Sequence, residues 1–124
     1  MSKLSDFITD QFWRILFGQK KGITGYRKGK TGSLSWGMFG GSLDIIGNGE
    51  MPEYSANMSN DIIISNAPWF AYLQRFSYAE IHDGVTSIGA GAFAGWKDLA
   101  FVCIRNSVIR IGNNAFWGCD SLTE

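Results

Sequence analysis

The sequence predicts an α+β chain: a short solenoid of 23-residue coils, preceded by a β-hairpin lead-in and an N-terminal amphipathic helix. Three observations predict it. One motif stands twice, in register, between Val85 and Leu122. Ahead of it, apolar residues alternate with small or polar ones on both sides of Gly40-Gly41, the period-two pattern of paired strands. At the start, residues 3–17 place apolar side chains at spacings of three and four, the period of a helix face. The chain divides accordingly into 1–30 (helix and basic linker), 31–75 (hairpin and short-helix lead-in) and 76–124 (coils, the last one truncated).

In the first part, Leu4, Phe7, Ile8, Phe12, Ile15 and Leu16 form the apolar stripe, and Asp6, Asp10 and Gln11 the opposite face. Ser2 or Ser5 can cap the helix and Gly18 can end it, with Lys20 and Lys21 at the carbonyl end where positive charge is favoured. A solenoid's first coil leaves its apolar core open, so the stripe reads as a terminal cap. The alternative is docking on a membrane surface through this helix and a basic arm of Lys20, Lys21, Arg27, Lys28 and Lys30. Membrane-surface helices carry Lys and Arg, rather than Asp, on the polar face, which favours the cap. Gly22 to Lys30 reads as a solvated linker; its one aromatic, Tyr26, makes no stacking pattern for nucleic acid, and none is expected as a partner.

In the second part, Leu34, Trp36 and Met38 run toward Gly40-Gly41, and Leu43 and Ile45 return. A glycine pair supplies the positive φ angles of a tight hairpin turn. Gly47-Asn48-Gly49 is a further turn, Met51 to Asn60 reads as loop, and Ile62-Ile63-Ile64 as a short strand or an apolar anchor. Asn57-Met58-Ser59 matches a glycosylation sequon, which has meaning only on an exported chain. Asn66 is the expected cap of a short helix with Pro68 in its first turn and Trp69, Phe70 and Leu73 available for packing.

The third part is the repeat. Val85, Ile88-Gly89, Ala92-Phe93, Gly95 and Leu99 recur 23 residues later as Val108, Ile111-Gly112, Ala115-Phe116, Gly118 and Leu122. The same step carries Leu99, Val102 and Ile104 back to Phe76, Ala79 and Ile81, the closing half of an earlier, degenerate coil. A step of roughly 20–29 residues is the signature of a leucine-rich-repeat-like solenoid. Leu99, Val102, Ile104, Val108, Ile111, Ala115 and Phe116 are expected to point inward and to stack as ladders of like residues. The pattern V-x-x-I-G-x-x-A-F-x-G-x-x-x-L-x-x-V-x-I resembles the BspA-like, or Treponema pallidum type, leucine-rich repeats, with both the Ile-Gly and the Ala-Phe pairs in register. Leu34 to Phe70, with Ala67-Pro68-Trp69, resembles the strand-rich lead-in of such proteins. The resemblance implies a non-catalytic module that binds proteins or adheres through its sheet face, at the cell surface or secreted. No secretory signal is read in residues 4–17, which Asp6 and Asp10 interrupt, so the chain as written reads as cytoplasmic.

Composition sets bounds. With 45% hydrophobic and 18% charged residues the 124-residue chain is globular rather than disordered. The net charge of zero is split: residues 1–30 carry seven Lys/Arg against two Asp, the remainder four against nine acids. Two cysteines are too few for a disulfide framework. Cys119 falls where the repeat wants a small buried group and Cys103 at an outward strand position, so no bridge is expected.

Catalytic signals are weak. Gly89-Ala90-Gly91-Ala92-Phe93-Ala94 fits G-x-G-x-x-A, but Gly112-Asn113-Asn114 lacks the second glycine and no acid follows at 107–111, so repeat architecture explains the glycine better than a dinucleotide site. His82 is the single histidine, and the cysteines have no zinc-type spacing, so neither a metal nor a cofactor is expected. The informative surface is the set of variable strand positions: Ser77, Tyr78, Glu80 and His82 in one coil, Ala100, Phe101, Cys103 and Arg105 in the next. Tyr78 and Phe101 are 23 apart and should stack; exposed paired aromatics suit a binding hot spot, the competing reading being core covered by residues 1–60. The expected partner is a protein. The strand begun at Leu122 ends with the chain, which predicts either a longer protein or a homodimer through the open C-terminal coil.

Overall fold

Leu34, Trp36 and Met38 are buried on one face, with the small residues Ser35 and Gly37 between them on the other, and this alternation builds β2 (Leu34–Phe39). It pairs antiparallel with β3 (Ser42–Gly47), Phe39 opposite Ser42, which is the hairpin expected here. The computed structural model describes residues 27–39 and 41–123; the expected helix over 3–17, with Lys20 and Lys21, lies outside them. Among the described residues there is no α-helix, so the α part of the expected α+β class is not carried by them.

Two segments read as linker or loop are strands. Arg27–Thr31 is β1, antiparallel to β2 in the register Arg27 to Met38 and Thr31 to Leu34. Its glycine is a packing residue, not a hinge: a Cβ on Gly29 would lie 2.9 Å from the Trp36 indole. Ala56–Ser59, read as the end of a loop, is β5, hairpinned to β6 (Ile62–Ser65). The reversal falls on Asn60 and Asp61, with φ of 51° and 65°, and their short polar side chains tolerate this left-handed region. Propensity alone gives Asn-Asp no strand signal, so the hairpin was hidden.

The short helix is a 3-10 helix, Phe70–Arg75, entered at Trp69 without a side-chain cap. Asn66 does not cap it: its Oδ1 accepts the Ser55 N–H at 2.9 Å and ties the helix entry to the strand side of the hairpin. Trp69 then becomes the centre of the core. It is fully buried, its indole N–H donates to the Ala92 carbonyl at 2.8 Å, and its ring stacks on Phe93 at 5.8 Å with Trp36 and Tyr54 edge-on.

The 23-residue step is realised in parallel strands. β7 (Tyr78–Ile81) pairs with β9 (Phe101–Ile104), Tyr78 opposite Phe101; β8 (Val85–Ile88) pairs with β10 (Arg110–Ile111), Ile88 opposite Ile111. Between them the turn amides of Gly91, Phe93 and Gly95 donate to the carbonyls of Asn113, Ala115 and Trp117 at 3.0, 2.8 and 2.8 Å. The hairpin joins the same stack: β3 runs parallel to β7, Asp44 opposite Glu80, and β4 (Gly49–Glu50) runs parallel to β8. The main sheet therefore has the order β1-β2-β3-β7-β9, and the second β10-β8-β4.

Burial along the ladders is uneven. Ala79, Ile81, Val85, Ile88, Ala92 and Phe93 are fully buried. Of their successors only Ala115 is; Val102, Val108 and Phe116 are half-buried, and Ile104 and Ile111 are exposed, contrary to the inward placement expected for the whole set. Within the described residues no coil lies against that side, and a ladder residue is buried by two neighbours, not one.

Candidate sheet-face site

Strand alternation decides which side chains share the outer face of the main sheet. Ala79 and Ile81 point into the core, so Tyr78, Glu80 and His82 point out; the 23-residue register lays Phe101 beside Tyr78 and Cys103 beside Glu80, and Arg105 follows. Six of the eight expected positions are thus brought together. Ser77 and Ala100 flank them at the strand entries, exposed and joined by the Ala100 N–H to the Ser77 carbonyl at 2.9 Å.

Tyr78 and Phe101 stack as expected, ring centroids 5.1 Å apart and planes inclined by 23°. Tyr78 is half-buried, while Phe101 remains 53% exposed. The Tyr78 hydroxyl donates to Glu80 Oε1 at 3.4 Å, and the Arg105 guanidinium donates to Glu80 Oε2. Burial raises the Tyr78 hydroxyl above its ordinary pKa, and the negative charge of Glu80 adds to this. Burial would raise the Glu80 carboxyl too, but the Arg105 hydrogen bond, then the His82 and Arg105 charges, outweigh it and hold it below the ordinary carboxylate value.

The residue that sequence reading missed is Asp44. It stands opposite Glu80 on β3, is only 7% exposed, and its Oδ1 lies 3.2 Å from His82 Nε2 while Oδ2 accepts the Ser42 hydroxyl at 3.1 Å. It lies 36 positions before Glu80, a step unlike the 23 of the repeat, so no periodicity pointed to it. The basic arm divides. Lys28 and Lys30 pair with Gly37 and Ser35 on the outer face, whereas Arg27 pairs with Met38 on the other face and lies over the Tyr72 ring at 5.2 Å.

Cys119 donates its S–H to the Phe93 carbonyl at 3.2 Å, and burial pushes its thiol up to about 11. Both cysteines are free, as expected from their separate faces. Away from the outer face, a groove of about 710 Å³ runs between the tip of the β5–β6 hairpin, the 3-10 helix and the turns of both coils, with Phe70, Trp117, Asp61, Lys97 and Asp98 in its wall. None of the described helices is long and apolar enough to cross a membrane.

The repeats have relatives. No curated protein matches the chain. A crystal structure of a leucine-rich repeat protein from Eubacterium ventriosum ATCC 27560 superposes with a TM-score of 0.63 at 27% identity, over 75% of this chain and 24% of that one. The chain thus spans about a quarter of the length of that relative. The model of the BspA type leucine rich repeat region (6 copies) matches residues 55–124, more than half of the sequence. With its parallel strands in a 23-residue register and its Ile-Gly and Ala-Phe ladders, the chain belongs to the BspA-type leucine-rich-repeat family.

Proposed function

We propose that the outer sheet face, centred on Tyr78 and Phe101, is a protein-docking surface, and that the chain is a non-catalytic interaction module of the adhesion type, exposed at the cell surface. The observation that carries this reading is the stacked pair itself: Phe101 keeps 53% of its surface open although its ring is held flat against Tyr78. A rigid, half-open aromatic pair ringed by polar groups offers a partner apolar area at little entropic cost. Membership of a leucine-rich-repeat family supports the same reading. The test is capture of purified extracellular-matrix and cell-surface proteins on the immobilised chain. A Tyr78→Ser/Phe101→Ser double variant should lose capture while its melting temperature stays unchanged. Undiminished capture by the folded variant removes this face from the reading.

The second reading, docking on an anionic membrane surface, draws on Lys28 and Lys30 sharing the outer face. Co-sedimentation with phosphatidylserine vesicles, abolished by high salt, is its signature. A homodimer through the exposed side of the last coil, where Ile104 and Ile111 lie open, is the remaining proposal. Light scattering at several concentrations reads it, and a strictly monomeric protein ends it.

A further inference from the structure

We propose that Asp44, Glu80 and His82 form a binding site for a divalent transition-metal ion of the zinc type. The three side chains each offer a donor atom, and these atoms all lie within 4.8 Å of one another. His82 Nε2 and Asp44 Oδ1 are 3.2 Å apart. Zinc bonds of roughly 2.0–2.1 Å to nitrogen and oxygen, arranged tetrahedrally, set donor atoms about 3.4 Å from each other. The His82–Asp44 pair therefore already spans close to one edge of such a site, and only the Glu80 carboxylate has to close in.

The scaffold holds this geometry. Asp44 and Glu80 are register partners on adjacent parallel strands, and the His82 backbone N–H donates to the Ile45 carbonyl at 3.0 Å. Asp44 is nearly buried, and the Ser42 hydroxyl occupies its Oδ2, leaving Oδ1 turned toward His82. An outer hydrogen bond of this kind orients a ligating carboxylate. Two carboxylates and a neutral imidazole balance a doubly charged ion. Nitrogen in the donor set, with the Cys103 thiol beside Glu80 in register, favours zinc over calcium or magnesium, which take oxygen.

One charged group opposes the ion, while the Tyr78 hydroxyl donates to the other Glu80 oxygen, Oε1, at 3.4 Å. Arg105 donates to Glu80 Oε2 from a side chain that is 46% exposed, so it can swing away into solvent. Metal entry displaces it, and Arg105 thus sets the affinity from outside the site. This inference stands apart from the docking reading, since it needs no protein partner.

The experiment is calorimetric titration of the tag-free, chelator-treated chain with zinc chloride, with the imidazole resonances of the single histidine followed in parallel by NMR. One ion per chain is expected, with the His82 signals shifted on loading. Asp44→Asn and His82→Ala should weaken binding by at least about tenfold, the size that losing even an outer-shell partner produces. Arg105→Ala, which removes the competitor, should tighten it; circular dichroism melts establish that each variant is folded. Calcium at the same concentration should give no heat. The proposal is overturned if millimolar zinc leaves the His82 resonances in place, or if zinc binds while folded Asp44→Asn and His82→Ala keep the parent affinity.

Discussion

Phe93 and Phe116 hold the same place in successive coils, and their rings lie 5.4 Å apart, yet only Phe93 is fully buried. Ile88 and Ile111 repeat the contrast: register partners on β8 and β10, one with no exposed surface and the other 52% exposed. The motif is the same in both coils, so the residue type does not set the burial. The inner coil is covered by the hairpin lead-in on one side and by the next coil on the other. Among the described residues the outer coil has one such neighbour, the inner coil. In a solenoid the stabilisation from a side chain belongs to the interface between coils rather than to the coil.

The contrast can be broken by substitution. Phe93→Ala should cost about 3–5 kcal/mol, as for a buried aromatic in a packed core, whereas Phe116→Ala should cost clearly less. Urea unfolding of both variants checks this, and equal losses would show that the outer coil is closed as tightly as the inner one. Next in size, Ile88→Ala should cost about 2–5 kcal/mol, and Ile111→Ala should stay within roughly 0.5 kcal/mol of the parent.

The repeated Ile-Gly pair tests the spacing of the coils. A Cβ on Gly89 would lie 1.8 Å from the Pro52 carbonyl oxygen, and one on Gly112 2.4 Å from the Ala90 nitrogen. Both obstacles are backbone and cannot swing aside. Gly89→Ala should therefore cost about 1–3 kcal/mol by overpacking. A neutral melt would mean that the lead-in and the first coil slide past each other freely.

The two cysteines give a comparison of chemistry. Burial raises the Cys119 thiol to about 11 from an ordinary value of 9.0. A raised folded-state pKa means that the thiol's contribution to stability is complete below the unfolded value and is lost as pH rises through the folded one. Alkylation of Cys119 by iodoacetamide should stay slow at pH 8–9 and accelerate only toward pH 11; mass spectrometry of the labelled chain reads it. Rapid labelling at pH 8 would show that the outer coil opens in solution. The smallest effect on stability is expected at the surface pair, where Phe101→Ser should leave the melting temperature within a degree or two.

Much of this was written in the order of residues. The 23-residue offset anticipated the register of β7 with β9 and of β8 with β10, because stacked coils place equivalent residues side by side. It anticipated the Tyr78–Phe101 stack for the same reason. The glycine pair and its flanking alternation anticipated the β2–β3 hairpin. What stayed hidden had no local period. β1 reads as a basic linker because its strand character comes from the edge of β2, a partner that propensity does not see. Asn66 has the type of a helix cap but is claimed by the backbone N–H of Ser55, the residue just before β5. The uneven burial of the ladder was hidden as well, since a repeat pattern does not count its neighbours.

Asp44 marks the boundary most sharply. Its own strand was legible from alternation, but its place beside Glu80 and His82 depends on β3 running parallel to β7 after a long crossover. The same side of the molecule is tied together by Trp69, which joins the lead-in to Ala92 and Phe93, and neither segment's local pattern says which residues of the other it will meet. Periodicity is a property of neighbours along the chain, and it determined the coils, their step and the aromatic pair. The meeting of two carboxylates and an imidazole is a property of packing between dissimilar segments, and only the folded arrangement of the lead-in on the first coil brings it about.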